Sequence, residues 1–438
     1  MTKRHHGIEA GGARGAIAVL IASAALGLGL VAGACVGSSS PSSSSSNGGM
    51  SSASGGRTGG SGGDAATMSD RTGGRGGDAA TMNDRTGGSG GDAATNGGSG
   101  AAGASWDKRT RARLLLSGHS LTDNPIGPYV EQIAEAHGRD YGWETQLVIG
   151  SPIRIRTRGD NADSARFEGY SRGANRNGSD KDLLSELAAP TSIGASERYD
   201  TLVIAERHDI LDSMKWERTV PLLRHYHDRL REHESKARTF LYQTWPDINK
   251  SEPLRWIDYA DKELIAWECA AAKVNLSLKA ESLPQSIRVV PAAVVLARFV
   301  KRALDGDVPG ISGGQEQRLN ALFEDAVHPT KLGKYLMAAT IYAAVFGESA
   351  KGAPIPSDVD AAAGAIAADV AWQVVSEYYG GGETPWIRTM DECRTAVSAM
   401  CGEYYAIRQR DPACQYWSDP AGPLEWPDTT FPYPAPQR

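Results

Sequence analysis

The stretch Ala112-Arg-Leu-Leu-Leu-Ser-Gly-His-Ser-Leu121 opens with a short apolar run and breaks off at a glycine between polar residues. A run of that length closed by a turn residue reads as a buried strand ending in a tight turn. Four further runs of the same kind lie at residues 145–149, 201–205, 239–242 and 287–290. Between them stand amphipathic stretches of helical length at 127–137, 216–233, 253–273 and 293–303, and two more follow at 331–346 and 359–378. Strands alternating with helices require right-handed crossovers, which predicts an α/β domain of three layers: a parallel sheet with helices on both faces. The expected domain spans 106–379. Gly380-Gly381-Gly382 then introduces an extension, 380–438, rich in Trp, Tyr, Pro and Cys.

In an open parallel sheet, catalytic groups collect at the carboxyl edge. Gly118 permits a tight turn there, so Ser120 is expected just past the first strand with its hydroxyl exposed. By itself such a serine serves equally well as a helix cap. The second informative stretch is Glu324-Asp325-Ala326-Val327-His328-Pro329-Thr330, directly ahead of an amphipathic helix. An Asp three residues before a His can reach the ring nitrogen facing it, which sets the tautomer and stabilises the charged ring. The other nitrogen then faces outward as a base for a serine hydroxyl. The simpler reading is a surface turn in which Asp325 caps the helix and His328 is solvated.

Together, Gly118-His119-Ser120-Leu121 and the Asp325/His328 pair resemble the SGNH, or GDSL-like, hydrolases. In that family Gly-Asp-Ser-Leu follows the first strand and Asp-x-x-His precedes the last helix. The resemblance implies a flavodoxin-like fold and a serine esterase that acts on carboxylic esters through Ser120, His328 and Asp325, with no cofactor and no metal. It also implies an oxyanion hole built from the Ser120 amide, a glycine amide and an Asn side chain. Gly150, in Val148-Ile-Gly-Ser-Pro152, matches the glycine. The third strand ends Ala205-Glu-Arg-His-Asp209, without Asn, which leaves His208, at the matching place, Ser151 or another loop as the substitute donor. Losing one such donor typically costs roughly 2.7–4 kcal/mol of transition-state stabilisation. That departure keeps two alternatives open: a catalytically inactive carbohydrate-binding module of the same fold, and an O-acyltransferase using identical residues. Glu206 and Arg207 can also be read as a structural ion pair. The expected partner is a small-molecule or carbohydrate ester.

Other candidates are weaker. Trp245, after the fourth strand, suits a pocket floor or the core. His225 and His227 fall on different faces of one helix and read as surface residues. Arg154, Arg156 and Arg158 can meet an anion, although alternation with small residues suggests a solvated loop. No His/Cys/Asp cluster has metal-ligand spacing and no glycine loop has the context for phosphate. With 52 acidic and 46 basic residues, and the basic ones scattered, nucleic acid is not expected as a partner.

The chain begins with Lys3, Arg4 and Arg14, then a charge-free run over 16–34 that ends Val31-Ala-Gly-Ala-Cys35. A basic head, an apolar middle and small residues before a Cys describe an export signal over 1–35, similar to a bacterial lipoprotein signal with Cys35 as the lipid anchor. An uncut membrane span is the alternative, and both place the rest of the chain outside the cytoplasm. Residues 36–105 are almost entirely Ser, Gly, Ala, Asp and Thr, with the unit at 58–71 repeated at 72–85. Such a unit buries almost nothing against a chain-entropy cost of about 1–2 kcal/mol per residue, so a disordered spacer is expected. Four cysteines remain: Cys269, Cys393, Cys401 and Cys414. An oxidising compartment would pair them, in one of three ways.

Overall fold

The computed structural model describes residues 108–380, 384, 386–418, 431 and 433. The export signal, Cys35 and the repeat segment lie outside the described residues. Five strands form the sheet: β1 (Arg111–Gly118), β2 (Asp140–Leu147), β3 (Thr201–Ala205), β4 (Arg238–Tyr242) and β5 (Ile287–Val290). All pairings are parallel and the order is β2-β1-β3-β4-β5. Because β2 lies on the far side of β1, the connection onward to β3 reverses direction across the sheet, and the crevice at that reversal is where such folds place their sites. All of β3 and β5, and all of β1 after Arg111, is buried, which means both faces of the sheet are covered.

The helices are α1 (Ile126–Ala136), α2 (Ile153–Thr157), α3 (Leu183–Ala188), α4 (Ile210–Trp216), α5 (Thr219–Arg231), α6 (Pro253–Ala280), α7 (Ala292–Asp305), α8 (Gln315–Asn320), α9 (Lys331–Phe346), α10 (Ala361–Gly380), α11 (Met390–Ile407) and α12 (Gln415–Ser418). After β5 the chain returns to α1: α9 packs against both α1 and α10, with the Tyr129 and Tyr335 rings 6.0 Å apart.

Several expectations are corrected. The second strand begins at Asp140 and ends at Leu147, earlier than 145–149. It is an edge strand, so its first residues pair with Arg111–Arg113 while partly exposed and carry no apolar signal. The helix expected over 216–233 is two helices, because Arg218 takes a left-handed φ of 55° between them. His225 and His227 are buried, not surface residues. His225 stacks on Phe167 at 4.0 Å and its Nδ1 meets the Tyr170 hydroxyl at 2.9 Å. His227 meets Thr239 at 2.9 Å and Ser286 at 3.2 Å, and burial pushes its pKa down to about 3, so it serves as a neutral core residue.

The C-terminal extension folds back onto α6. Cys269 on α6 is bonded to Cys393 on α11, and Cys401 on α11 is bonded to Cys414. Arg388 reinforces the seam by pairing with Glu268 at 2.7 Å. The two disulfides fit an oxidising, extracytoplasmic environment, and among the described residues no helix is long and apolar enough to cross a membrane. Cys269 and Cys393 are separated by 124 residues, Cys401 and Cys414 by 13. Closing the longer loop restricts the unfolded chain more. Replacing Cys269 and Cys393 together by Ala is therefore expected to cost about 2–5 kcal/mol, and more than the same change at Cys401 and Cys414. Denaturant midpoints of the two variants check the ranking.

Candidate active site

The site begins where β1 stops. A Cβ on Gly118 would lie 1.8 Å from the Thr122 hydroxyl, so only glycine lets the chain fold back into the short 3-10 turn Ser120–Thr122. His119 leads into that turn. Its Nδ1 accepts from the Leu121 amide at 3.4 Å, which puts the ring proton on Nε2, and this donates to the Glu206 carbonyl at 3.1 Å. Burial, aided by the Arg156 charge, pushes His119 down to about 3, so it is a neutral clip between the ends of β1 and β3. Ser120 follows, half-buried.

The turn at 324–328 faces it. The Ser120 Oγ lies 3.0 Å from the His328 Nε2, across 208 residues of chain. The His328 Nδ1 is 2.6 Å from the Asp325 Oδ2, while the Asp325 Oδ1 accepts from the amides of Val327 and His328, both at 2.7 Å. Burial raises the Asp325 carboxyl, but the His328 amide and ring and the Val327 amide outweigh it and hold the pKa at about 2. Asp325 is thus ionised at neutral pH and fixes the Nδ1–H tautomer, leaving Nε2 as the acceptor toward Ser120.

This turn is tied down from behind. Trp245, fully buried, donates its indole N–H to the Val327 carbonyl at 2.8 Å, and the Ile248 amide bonds to the Ala326 carbonyl at 2.7 Å. On the nucleophile side, Lys334 of α9 pairs with Asp123 at 2.9 Å and reaches the Asn124 carbonyl at 3.1 Å. Trp245 is therefore core that positions the base loop, and it does not floor a pocket.

Arg154, Arg156 and Arg158 do not form a solvated loop; they lie on and just after α2, and Arg156 is fully buried. Its guanidinium donates to the Ser117 hydroxyl at 3.0 Å, to the Ser151 carbonyl at 2.7 Å and hydroxyl at 2.9 Å, and to the Ala205 carbonyl. One side chain thus joins the ends of β1 and β3 to the loop after β2. Arg154 pairs with Glu217, and Arg158 lies 4.6 Å over the Phe167 ring.

Glu206 is also fully buried and is not paired with Arg207, which instead bonds to Asp209 at 2.7 Å. The Glu206 carboxyl accepts from the Ile153 amide at 3.2 Å, the Arg207 amide at 2.8 Å and the Thr219 hydroxyl at 2.7 Å. Gly150 sits in the intervening turn, at a left-handed φ of 68°, three residues past β2 instead of closing it. The turn is held to β1 by the Val148 amide, 3.0 Å from the Gly118 carbonyl. The His208 carbonyl accepts from Arg408 of the extension, and its side chain borders a cleft. The structure thus brings Ser120, His328 and Asp325 into one hydrogen-bonded row. Gly150 stands on the neighbouring loop and His208 on the cleft beside them. Sequence reasoning missed Arg156 and Glu206 as site-building residues. Charge alone carries no sign of burial, and the charged side chains near them in the chain, Arg207 and Asp209 for Glu206 and Arg154 and Arg158 for Arg156, are not the partners that hold them.

No protein-family model matches the chain, and no curated protein matches it. Among solved structures, a DUF4886 family protein from Bacteroides uniformis is similar at 14% sequence identity, over 60% of this chain and 95% of that one, with a TM-score of 0.40.

Burial is the main cause that raises Glu206 to about 7, and the same holds for Glu263, which pairs with Arg408. Between an unfolded carboxyl near 4.5 and these values the folded protein binds more protons than the unfolded chain, so stability falls as pH rises through that window. Melting temperatures from pH 5 to 8 are expected to fall in wild type and to fall less in Glu206→Gln; identical slopes would exclude Glu206 as the source.

Proposed function

We propose that this chain is an SGNH-type serine hydrolase that cleaves carboxylic esters. The reading is carried by one observation: the unbroken row from the Ser120 hydroxyl through His328 to Asp325, with contacts of 3.0 and 2.6 Å. The strand order 2-1-3-4-5, with Ser120 just past the carboxyl end of β1 and the Asp325/His328 turn directly ahead of α9, agrees with the flavodoxin-like arrangement of that family.

In this mechanism the Ser120 Oγ attacks the ester carbonyl as the His328 Nε2 takes its proton. Asp325 stabilises the resulting imidazolium without accepting the proton. The tetrahedral oxyanion is held by the amides of Ser120 and Gly150, with His208 as a third donor. Collapse expels the alcohol, which leaves with the proton from Nε2, and an acyl group stays on Ser120. Water then gives a proton to Nε2, its oxygen bonds to the acyl carbon, and the acid departs as the proton returns to Ser120. Cys35 is read as a lipid anchor holding the domain outside a bacterial membrane. The third block, where His208 stands in place of the family's Asn, favours a second reading, the inactive binding module. Acyl transfer to a sugar instead of water is distinguished by its products.

A fluorophosphonate probe is expected to label wild type and not Ser120→Ala, with p-nitrophenyl acetate hydrolysed only by the former. Absence of both labelling and turnover in wild type would leave the binding module. Asp325→Asn is expected to keep the fold and to lower kcat by about 10⁴-fold through the wrong His328 tautomer, checked by steady-state kinetics beside a melting curve.

A further inference from the structure

A cleft of about 470 Å³ opens beside the base loop. One wall is the segment after β4, from Pro246 to Lys250, and the other is the turn that follows α11, from Ile407 to Arg410. Ala326, which stands between Asp325 and His328 in the chain, lies on its rim with His208. The C-terminal extension therefore builds one wall of a cavity that adjoins the turn carrying Asp325 and His328.

The extension's wall is firmly placed. Arg408 donates to the His208 carbonyl and Glu263, and to the Tyr259 hydroxyl at 3.0 Å, with its guanidinium 3.8 Å from the Tyr404 ring centre. Both disulfides hold the helix that leads into it. The chain reverses at Gln409, whose φ is 51°, with the Arg410 amide bonded back to the Tyr405 carbonyl at 3.0 Å. Gln409 and Arg410 are consequently exposed on the cleft.

The lining chemistry selects the guest. An alkyl or fatty acyl chain needs a mostly apolar wall. Here Asp247, Asn249, Lys250, Gln409 and Arg410 supply donors and acceptors from both sides. Amide side chains do both at once, which suits hydroxyl groups. Its two cations are already engaged and a carboxylate stands beside them: Arg410 pairs with Asp212 at 2.9 Å, Lys250 donates to Asn320 at 2.7 Å, and Asp247 lines the same cleft. A strongly anionic guest is therefore not favoured.

We propose that this cleft binds the alcohol side of the ester, that its guest is an uncharged polyhydroxylated group such as a sugar, and that the C-terminal extension determines this selectivity. The proposal rests on the ester-hydrolase reading above. The matched substrates are glucose 6-acetate and hexyl acetate, which share the acyl group and differ in the polarity of the alcohol. Wild type is expected to show kcat/KM at least tenfold higher for the sugar ester. The double variant Gln409→Gly, Arg410→Ala is expected to lower that ratio at least fivefold, through KM more than kcat; glycine accepts the left-handed φ, and both side chains are exposed. A preference for hexyl acetate in wild type, or a ratio unchanged in the variant, overturns the proposal. Ligand-observed NMR on the Ser120→Ala protein separates the two readings. If wild type hydrolyses neither ester, glucose 6-acetate binding that weakens in the Ser120→Ala protein carrying Gln409→Gly and Arg410→Ala still supports the cleft. Absence of binding there overturns it.

Discussion

A single guanidinium, sealed from water where β1, β2 and β3 run out, constrains the carboxyl edge of the sheet in this molecule. Arg156 has no solvent to satisfy it, so Ser117, Ser151 and Ala205 must be held around it, and these are the residues from which the nucleophile turn and the two neighbouring loops depart. Burial pushes its pKa down to about 10, which still leaves it charged at neutral pH. Glu206 acts on it at a distance, raising that pKa against burial, while its own carboxyl gathers the Ile153 amide and the Thr219 hydroxyl.

With the β1 edge fixed in this way, the remaining problem is to bring a turn from beyond residue 320 to the Ser120 hydroxyl. No local interaction can do that. Backbone and indole hydrogen bonds from the segment after β4 grip the 324–328 turn, and the Lys334/Asp123 pair connects α9 to the nucleophile turn. The row of hydrogen bonds is therefore a product of sheet topology: the Ser120 turn leaves β1, and the segment that grips the 324–328 turn leaves β4, at the same edge of parallel strands. The extension uses the same logic from outside. The Cys269–Cys393 disulfide and Arg408 anchor it to α6 and to the loop after β3, and its end becomes a wall of the cleft.

Where periodicity and sterics act locally, the sequence was legible. The third and fifth strands and the helix Lys331–Phe346 fall at the boundaries that apolar patterning predicts, because a strand buried on both faces is a continuous apolar run. Ser120, after a glycine that alone fits against Thr122, and the Asp325/His328 turn were also legible, since each is a contact within a few residues. The start of β2 was not, because an edge strand can expose its residues.

Tertiary structure alone decided which polar residues went inside and what they met. His225, His227, Arg156 and Glu206 belong to types that usually remain in water, and their burial depends on partners such as Tyr170, Thr239, Ser117 and Thr219. Those partners lie outside the local window in which a helix or strand period operates. The disulfide pairings and the cleft wall at Gln409 are of the same kind. The sequence by itself determined the elements, the nucleophile turn and the Asp/His turn, because these follow from neighbours in the chain. The hydrogen bond between Ser120 and His328, the buried charge beneath it and the role of the extension depended on long-range packing, which no local pattern encodes.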